Sequence, residues 1–207
     1  MKKSFTRIAL LLAIITVLYG CSKAVNYKIT ERFYVRTPLT VAVLPVYWDA
    51  GRNDKAKEIG RLFRSMSLER LRDRNYRPLS LADVDERLSR LDQAGLKKKT
   101  PGELARILGA DAVLSIRIKE WKQDRFLTYA YLKIKTRFEL YSLDSTRLWY
   151  ADYGTKDSDI KMDKTPLEIS ILKVYEPRIE RLVAAVFSTL PLRRTDQNAE
   201  KFYDWLP

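Results

Sequence analysis

Between residues 129 and 141 the chain alternates so strictly that few folds can accept it. Ala130, Leu132, Ile134, Phe138 and Leu140 share one parity, and Tyr129, Tyr131, Lys133, Lys135 and Arg137 share the other. A strand sends successive side chains to opposite faces, whereas a helix would scatter both sets around its axis. The segment reads as the middle strand of an antiparallel sheet with one apolar and one solvated face. Runs on either side complete a meander over residues 112–122, 126–141 and 147–153. Its turns fall at Gln123-Asp124-Arg125 and at Leu143-Asp144-Ser145-Thr146.

An apolar sheet face needs helices to cover it, and the rest of the chain supplies them. Residues 40–46, Thr-Val-Ala-Val-Leu-Pro-Val, are apolar on both faces and read as a central strand; residues 47–54 read as a polar loop. A helix follows over 55–74, with Ile59, Leu62, Phe63, Met66 and Leu71 inward and Lys57, Arg61, Arg64 and Arg72 toward water. After a short strand at 76–79, Ser80 caps a helix that runs to about Ala94, burying Leu81, Val84, Leu88 and Leu91. Thr100-Pro101-Gly102-Glu103 is a capping box with proline at the first helical position, and Gly109 closes that helix. The last helix spans 166–190, buries Ile179, Leu182, Val183, Val186 and Phe187, and is expected to kink or split at Pro177. The order predicts an α/β (α+β) fold with a mixed sheet, a C-terminal antiparallel meander and helices packed on the sheet. With no linker or repeat to divide them, residues 38–191 form a single domain, and residues 192–207 a polar tail ending in Phe202, Tyr203, Trp205 and Leu206.

The amino terminus reads as an address. Lys2, Lys3 and Arg7 precede an 11-residue run, 8–18, apolar apart from Thr16, and then Leu18-Tyr19-Gly20-Cys21. A bilayer-spanning helix needs about 20 apolar residues. A basic start, a short apolar segment and a small residue mark a signal peptide over 1–20. The sole cysteine follows that small residue, and the arrangement resembles the bacterial lipobox, which implies acylation of Cys21 and cleavage before it. Each buried methylene contributes about 0.8 kcal/mol, so two or three acyl chains make such an anchor effectively permanent. Ser22, in place of aspartate, suggests the outer membrane. Residues 21–37 then serve as anchor and tether, with Tyr27, Ile29, Phe33 and Val35 hinting at an edge strand.

The formal charge is +13, and removing residues 1–20 leaves +10. Export argues against nucleic acid as the counterpart of that charge. The available polyanions are phospholipid headgroups, lipopolysaccharide, peptidoglycan and acidic faces of envelope proteins.

Four stretches carry a family resemblance: Val41-Ala42-Val43-Leu44-Pro45, Leu108-Gly109-Ala110-Asp111-Ala112-Val113-Leu114, Ile118-Lys119-Glu120-Trp121 and Arg147-Leu148-Trp149. With the lipobox, they resemble a family of bacterial outer-membrane lipoproteins of unknown activity, similar to the N-terminal domain of TolB and the periplasmic domain of the curli secretion lipoprotein CsgG. The resemblance implies a lipid-anchored, periplasm-facing protein acting with CsgG-like lipoproteins in an envelope assembly. It supplies no catalytic residues.

Chemistry is sparse. The chain has no histidine and a single cysteine, so the commonest general base and every multi-cysteine metal site are excluded. Ser158–Lys161 and Ser170–Lys173 match Ser-x-x-Lys but lack the companion motifs of penicillin-recognising enzymes. Asp152, Asp157, Asp159 and Asp163 crowd one segment, read as a loop, without EF-hand spacing. No enzyme activity, cofactor or metal is expected.

What remains is the outward face of the meander. On one hairpin register Arg117 lies across from Tyr131 and Lys119 from Tyr129, with Lys133, Lys135 and Arg137 continuing the row. Tyrosine with arginine is the composition of interface hot spots. The expected function is a non-enzymatic interaction or assembly module. The alternatives are a pore component whose hairpins join those of neighbouring copies and, last, a cryptic hydrolase. Amphipathic helices that need an apolar sheet face favour the module over the pore.

Overall fold

The computed structural model describes residues 24–35, 37–51, 53–91, 93–125, 130–160 and 170–194. In chain order they form β1 (Asn26–Ile29), α1 (Glu31–Val35), β2 (Thr40–Val43), β3 (Tyr47–Trp48), α2 (Ala56–Asp73), β4 (Arg77–Pro78) and α3 (Leu81–Ser89). There follow α4 (Gln93–Lys98), α5 (Pro101–Leu108), β5 (Ala112–Arg125), β6 (Ala130–Ser142), β7 (Arg147–Ile160) and α6 (Ser170–Phe187).

The strands make one open, mixed sheet in the order β1-β7-β6-β5-β2-β4, with β3 also paired to β5. Pairings of β2 with β4 and of β2 and β3 with β5 are parallel; β5, β6, β7 and β1 are antiparallel throughout. Alternation decides what each face meets. Leu114, Ile116, Ile134, Phe138 and Trp149 point to one side, where α2 and α6 pack against each other and close the main core. Ring centroids there lie 6.4 Å apart for Phe63 and Phe138, 6.0 Å for Phe138 and Phe187, and 6.1 Å for Trp149 and Phe187.

On the opposite side α3 and α5 cover Ala42, Leu44 and Val113, through Val84, Leu88, Leu104 and Leu108, with Tyr141 of β6 packed at the margin. The capping box at Thr100 and Glu103 is present, and Gly109 ends α5 at φ 64°, a left-handed conformation that glycine adopts without a Cβ penalty. Among the described residues, the rest of that sheet face beyond this small second core lies open.

Several sequence expectations are corrected. The chain from Asn26 is not free tether: Tyr27 and Ile29 do lie on an edge strand, β1, paired with β7, but Phe33 and Val35 fall in a helix, α1, that buries Phe33. Within the expected polar loop, Tyr47 and Trp48 pair with Arg117 and Ile118, because Trp48 stacks near Trp121 at 5.6 Å. The helix capped by Ser80 ends at Ser89, and a separate short helix, α4, follows. Helix α6 runs unbroken through Pro177 rather than splitting. Arg64, assigned to water, is buried at 6% exposure.

Strand β1 starts opposite Asp152 and ends opposite Trp149. The chain that leads into it therefore arrives from the end of the sheet where β5, β6 and the last part of β7 extend. The opposite end carries α1, the β6–β7 turn and the start of β5.

Candidate functional site

The open face of β5, β6 and β7 is where the sequence places its candidate surface. Five of the seven residues have described side chains there: Arg117, Lys119, Lys133, Lys135 and Arg137. Tyr131 sits in β6 opposite Asp124, and its side chain is outside the described set. Tyr129 and Cys21 lie outside the described residues, as does the Lys161 end of one Ser-x-x-Lys match.

The hairpin register differs from the expected one. Arg117 stands across from Arg137, and Asp124 from Tyr131. An irregularity between Ile118 and Glu120 inserts Lys119 as an extra residue, so Lys119 and Glu120 both reach the polar face. Two cations directly opposite would repel, yet each has its own carboxylate. Arg117 donates to Asp49 at 2.8 Å and lies 5.3 Å over the Tyr47 ring. Arg137 pairs in a two-pronged arrangement with Asp152, whose other oxygen contact comes from Lys119 at 2.8 Å.

Glu120 is a second node. It faces Lys133 at 2.7 Å, Lys135 at 2.9 Å and Lys122 at 3.5 Å. Arg147 completes the row, bound to Glu139 at 2.9 Å and 4.6 Å over the Tyr150 ring. The carboxylates of Glu120, Glu139 and Asp152 are sunken, while the cations reach over them toward solvent.

These contacts shift the ionisation of the groups involved. Hydrogen bonds from Lys133 and then Lys135 hold the Glu120 carboxyl at about 2. Burial alone would raise Asp152, but hydrogen bonds from Arg137 and Lys119 outweigh it and bring it below the usual carboxylate range. Asp49 and Asp152 keep Arg117 and Arg137 more firmly protonated than usual.

Sequence reasoning found the cations and missed their partners. Asp152, assigned to an acidic loop, lies on β7, which continues to Ile160. Glu139 is in step with Arg137, so the same alternation could have found it. Glu120 could not be found that way, because only the bulge turns it onto this face. Across the described ion pairs of the face, seven cations (Arg117, Lys119, Lys122, Lys133, Lys135, Arg137 and Arg147) meet four carboxylates, a surplus of three. Chemically this is a preordered field of N–H donors suited to acidic and carbonyl groups of a partner.

The architecture is a mixed α/β sandwich, open along one polar sheet face. The sequence matches no protein-family model and no curated protein. Among solved structures, the fold is similar to lipoprotein GNA1162 from Neisseria meningitidis, with 18% identity over 71% of this chain and 99% of that one, at a TM-score of 0.51. It is also similar to the PelC dodecamer from Paraburkholderia phytofirmans, with 17% identity over 83% of this chain and 99% of that one, at a TM-score of 0.50. At these identities the likeness is one of fold.

Proposed function

We propose that the chain is a lipid-anchored lipoprotein of the bacterial outer membrane, facing the periplasm, that works without catalysis as an interaction and assembly module. The observation that carries this reading is the open polar face. Among the described residues, α2 and α6 pack on one side of the sheet, and the other presents a row of arginines and lysines already held in place by sunken carboxylates. Preordered donors of this kind lower the entropic cost of binding a partner. The position of Cys21 in the sequence supports the anchor. A dodecameric protein and a lipoprotein with a similar fold support an envelope assembly. The partner is another envelope lipoprotein of the CsgG-like kind, or further copies of this chain.

The burial of the hairpin's apolar side supports the module over the hairpin-pore alternative. A barrel strand needs an apolar side for lipid. Here Leu132 and Ile134 are buried, and Trp121 packs edge-on against Tyr175 of α6 at 5.2 Å.

Two experiments test the proposal. Replacing Cys21 with Ser should release the protein from membranes, and the intact mass of the unaltered mature protein should include acyl groups. A mature protein that begins elsewhere without lipid refutes the anchor. A photo-crosslinking residue at Lys135 should capture a partner in cells, while one at Arg61 on the far side of α2 should not. Equal yields at the two positions refute the surface.

A further inference from the structure

The end of the sheet away from β1's entry holds a groove of about 770 Å³, within the range of roughly 300–1,000 Å³ typical of binding sites. Val35, Pro38, Leu143 and Leu148 give it apolar walls, and Arg32 and Arg106 stand at its rim. Val35 is 80% and Leu143 40% exposed, a pair of apolar side chains on α1 and the β6–β7 turn left to water.

The groove's own carboxylates are engaged by the backbone. Asp111 accepts from the amides of Leu39 at 3.0 Å and Thr40 at 2.8 Å, and Asp144 from the amide of Thr146 at 3.0 Å and from the Ser142 hydroxyl. Arg32 donates to Thr146 Oγ1 at 3.1 Å and stands 3.7 Å from Asp144; Arg106 donates to the Leu143 carbonyl at 3.0 Å. A guanidinium has five N–H donors, so both arginines retain donor capacity for an acidic group arriving at the rim.

The path of the chain after α6 leads to this place. The Tyr76 hydroxyl donates to the Pro191 carbonyl at 2.9 Å, the Arg193 amide to the Arg74 carbonyl at 3.0 Å, and Asn75 Nδ2 to the Arg193 carbonyl at 3.2 Å. Two residues on, the Arg77 amide donates to the carbonyl of Leu39, a groove residue, at 2.8 Å. Residue 194 therefore lies beside the groove. The sequence that follows, 195–207, differs in kind from the rest of this basic chain. It carries Asp196, Glu200 and Asp204 against a single Lys201, and it gathers Phe202, Tyr203, Trp205 and Leu206.

We infer that residues 202–206 dock in this groove, their aromatic side chains on the apolar walls and Asp204 against Arg32 and Arg106. The eight residues from Arg194 to Phe202 can span at most about 26–29 Å, enough for an intramolecular approach from an adjacent exit point. The inference stands apart from the lipid anchor and the meander face, since neither contributes a residue to it.

Trp205 reports the contact in the full-length protein. Subtracting the emission of the Trp205→Phe variant isolates this indole. Its emission should be blue-shifted and shielded from acrylamide. Both effects should be lost in the double variant Arg32→Glu/Arg106→Glu, kept in the control Arg61→Glu/Arg90→Glu, and restored when Asp204→Lys is added to the first pair. Solvent-exposed emission in the unaltered protein overturns the inference, as does shielding that the double reversal leaves intact. Shielding that grows with protein concentration assigns the groove to the tail of a second copy and overturns the intramolecular contact.

Discussion

Arg64 shows how far a single residue can depart from the simple pattern of its helix. Its guanidinium lies under the surface, donating to Asp85 at 2.7 Å and to the Val43 carbonyl at 3.1 Å, and so links α2 to α3 and β2. Asp85 is half exposed. Removing the acid strands a buried charge, whereas removing the arginine leaves a carboxylate that water can reach. Asp85→Ala should therefore cost about 1–3 kcal/mol, and Arg64→Met should be close to neutral. Urea unfolding of the two variants checks the order; a costlier Arg64→Met would show that the guanidinium stabilises through packing instead. Glu120 gives the matching case on the polar face. Its carboxyl lies at about 2 in the folded protein against an ordinary 4.5, first because of Lys133 and then Lys135. The folded state thus binds fewer protons than the unfolded one in that window. The stabilisation is fully present above about 4.5 and is lost as pH falls toward 2. Glu120→Gln should flatten the fall of the thermal midpoint over this range; an unchanged slope would mean that the lysine contacts do not persist in solution.

At the scale of elements, the fold depends on a latch between α5 and the β6–β7 turn. The Gly102 amide donates to Ser145 Oγ at 2.9 Å, while Ser145 itself sits at φ 63°. A Cβ at Gly102 would run into the Leu143 carbonyl and that same hydroxyl. Gly102→Ala should therefore cost about 1–3 kcal/mol through overpacking, despite alanine's better helix propensity. A thermal midpoint that rises instead would place the two elements farther apart. The sequence shows Gly102 only as part of a capping box, because the close approach is a property of two segments remote along the chain. The meander, α2 and α5 are legible because each carries its own period or caps. The five-residue α1 and the two-residue β3 carry neither, and tertiary contacts alone define them. Lys133, Lys135 and Arg137 are legible by alternation. Glu120 joins them through a bulge that breaks alternation, and Arg64 is misread because a helical wheel sends every charge to water.

For the whole molecule, the division of labour between the two sheet faces sets what association should look like. One face is consumed by α2 and α6, so a partner of the proposed kind would meet the other, where cations outnumber carboxylates among the described ion pairs. Long-range attraction to an acidic partner should then weaken with salt, since screening acts over about 8 Å at physiological ionic strength. Rates of association with a captured partner, measured across a salt series, should fall more steeply for the unaltered protein than for Lys122→Glu/Lys135→Glu. Equal slopes would mean that the ion pairs of the face neutralise it before any partner arrives.

The pairing of Asn26 with Asp152 has a consequence for the geometry of encounter. If Cys21 carries the proposed lipid, only five residues would separate the bilayer from the first strand, a leash of about 18 Å at full stretch. A domain held so closely does not search a volume. It would diffuse in a plane, with β5 and β6 extending from the tethered end and the groove at the other, and would meet other tethered proteins at nearly fixed height. Recognition under those conditions can rest on modest affinity, because the membrane supplies the concentration and the orientation that a free protein would have to obtain from contacts alone.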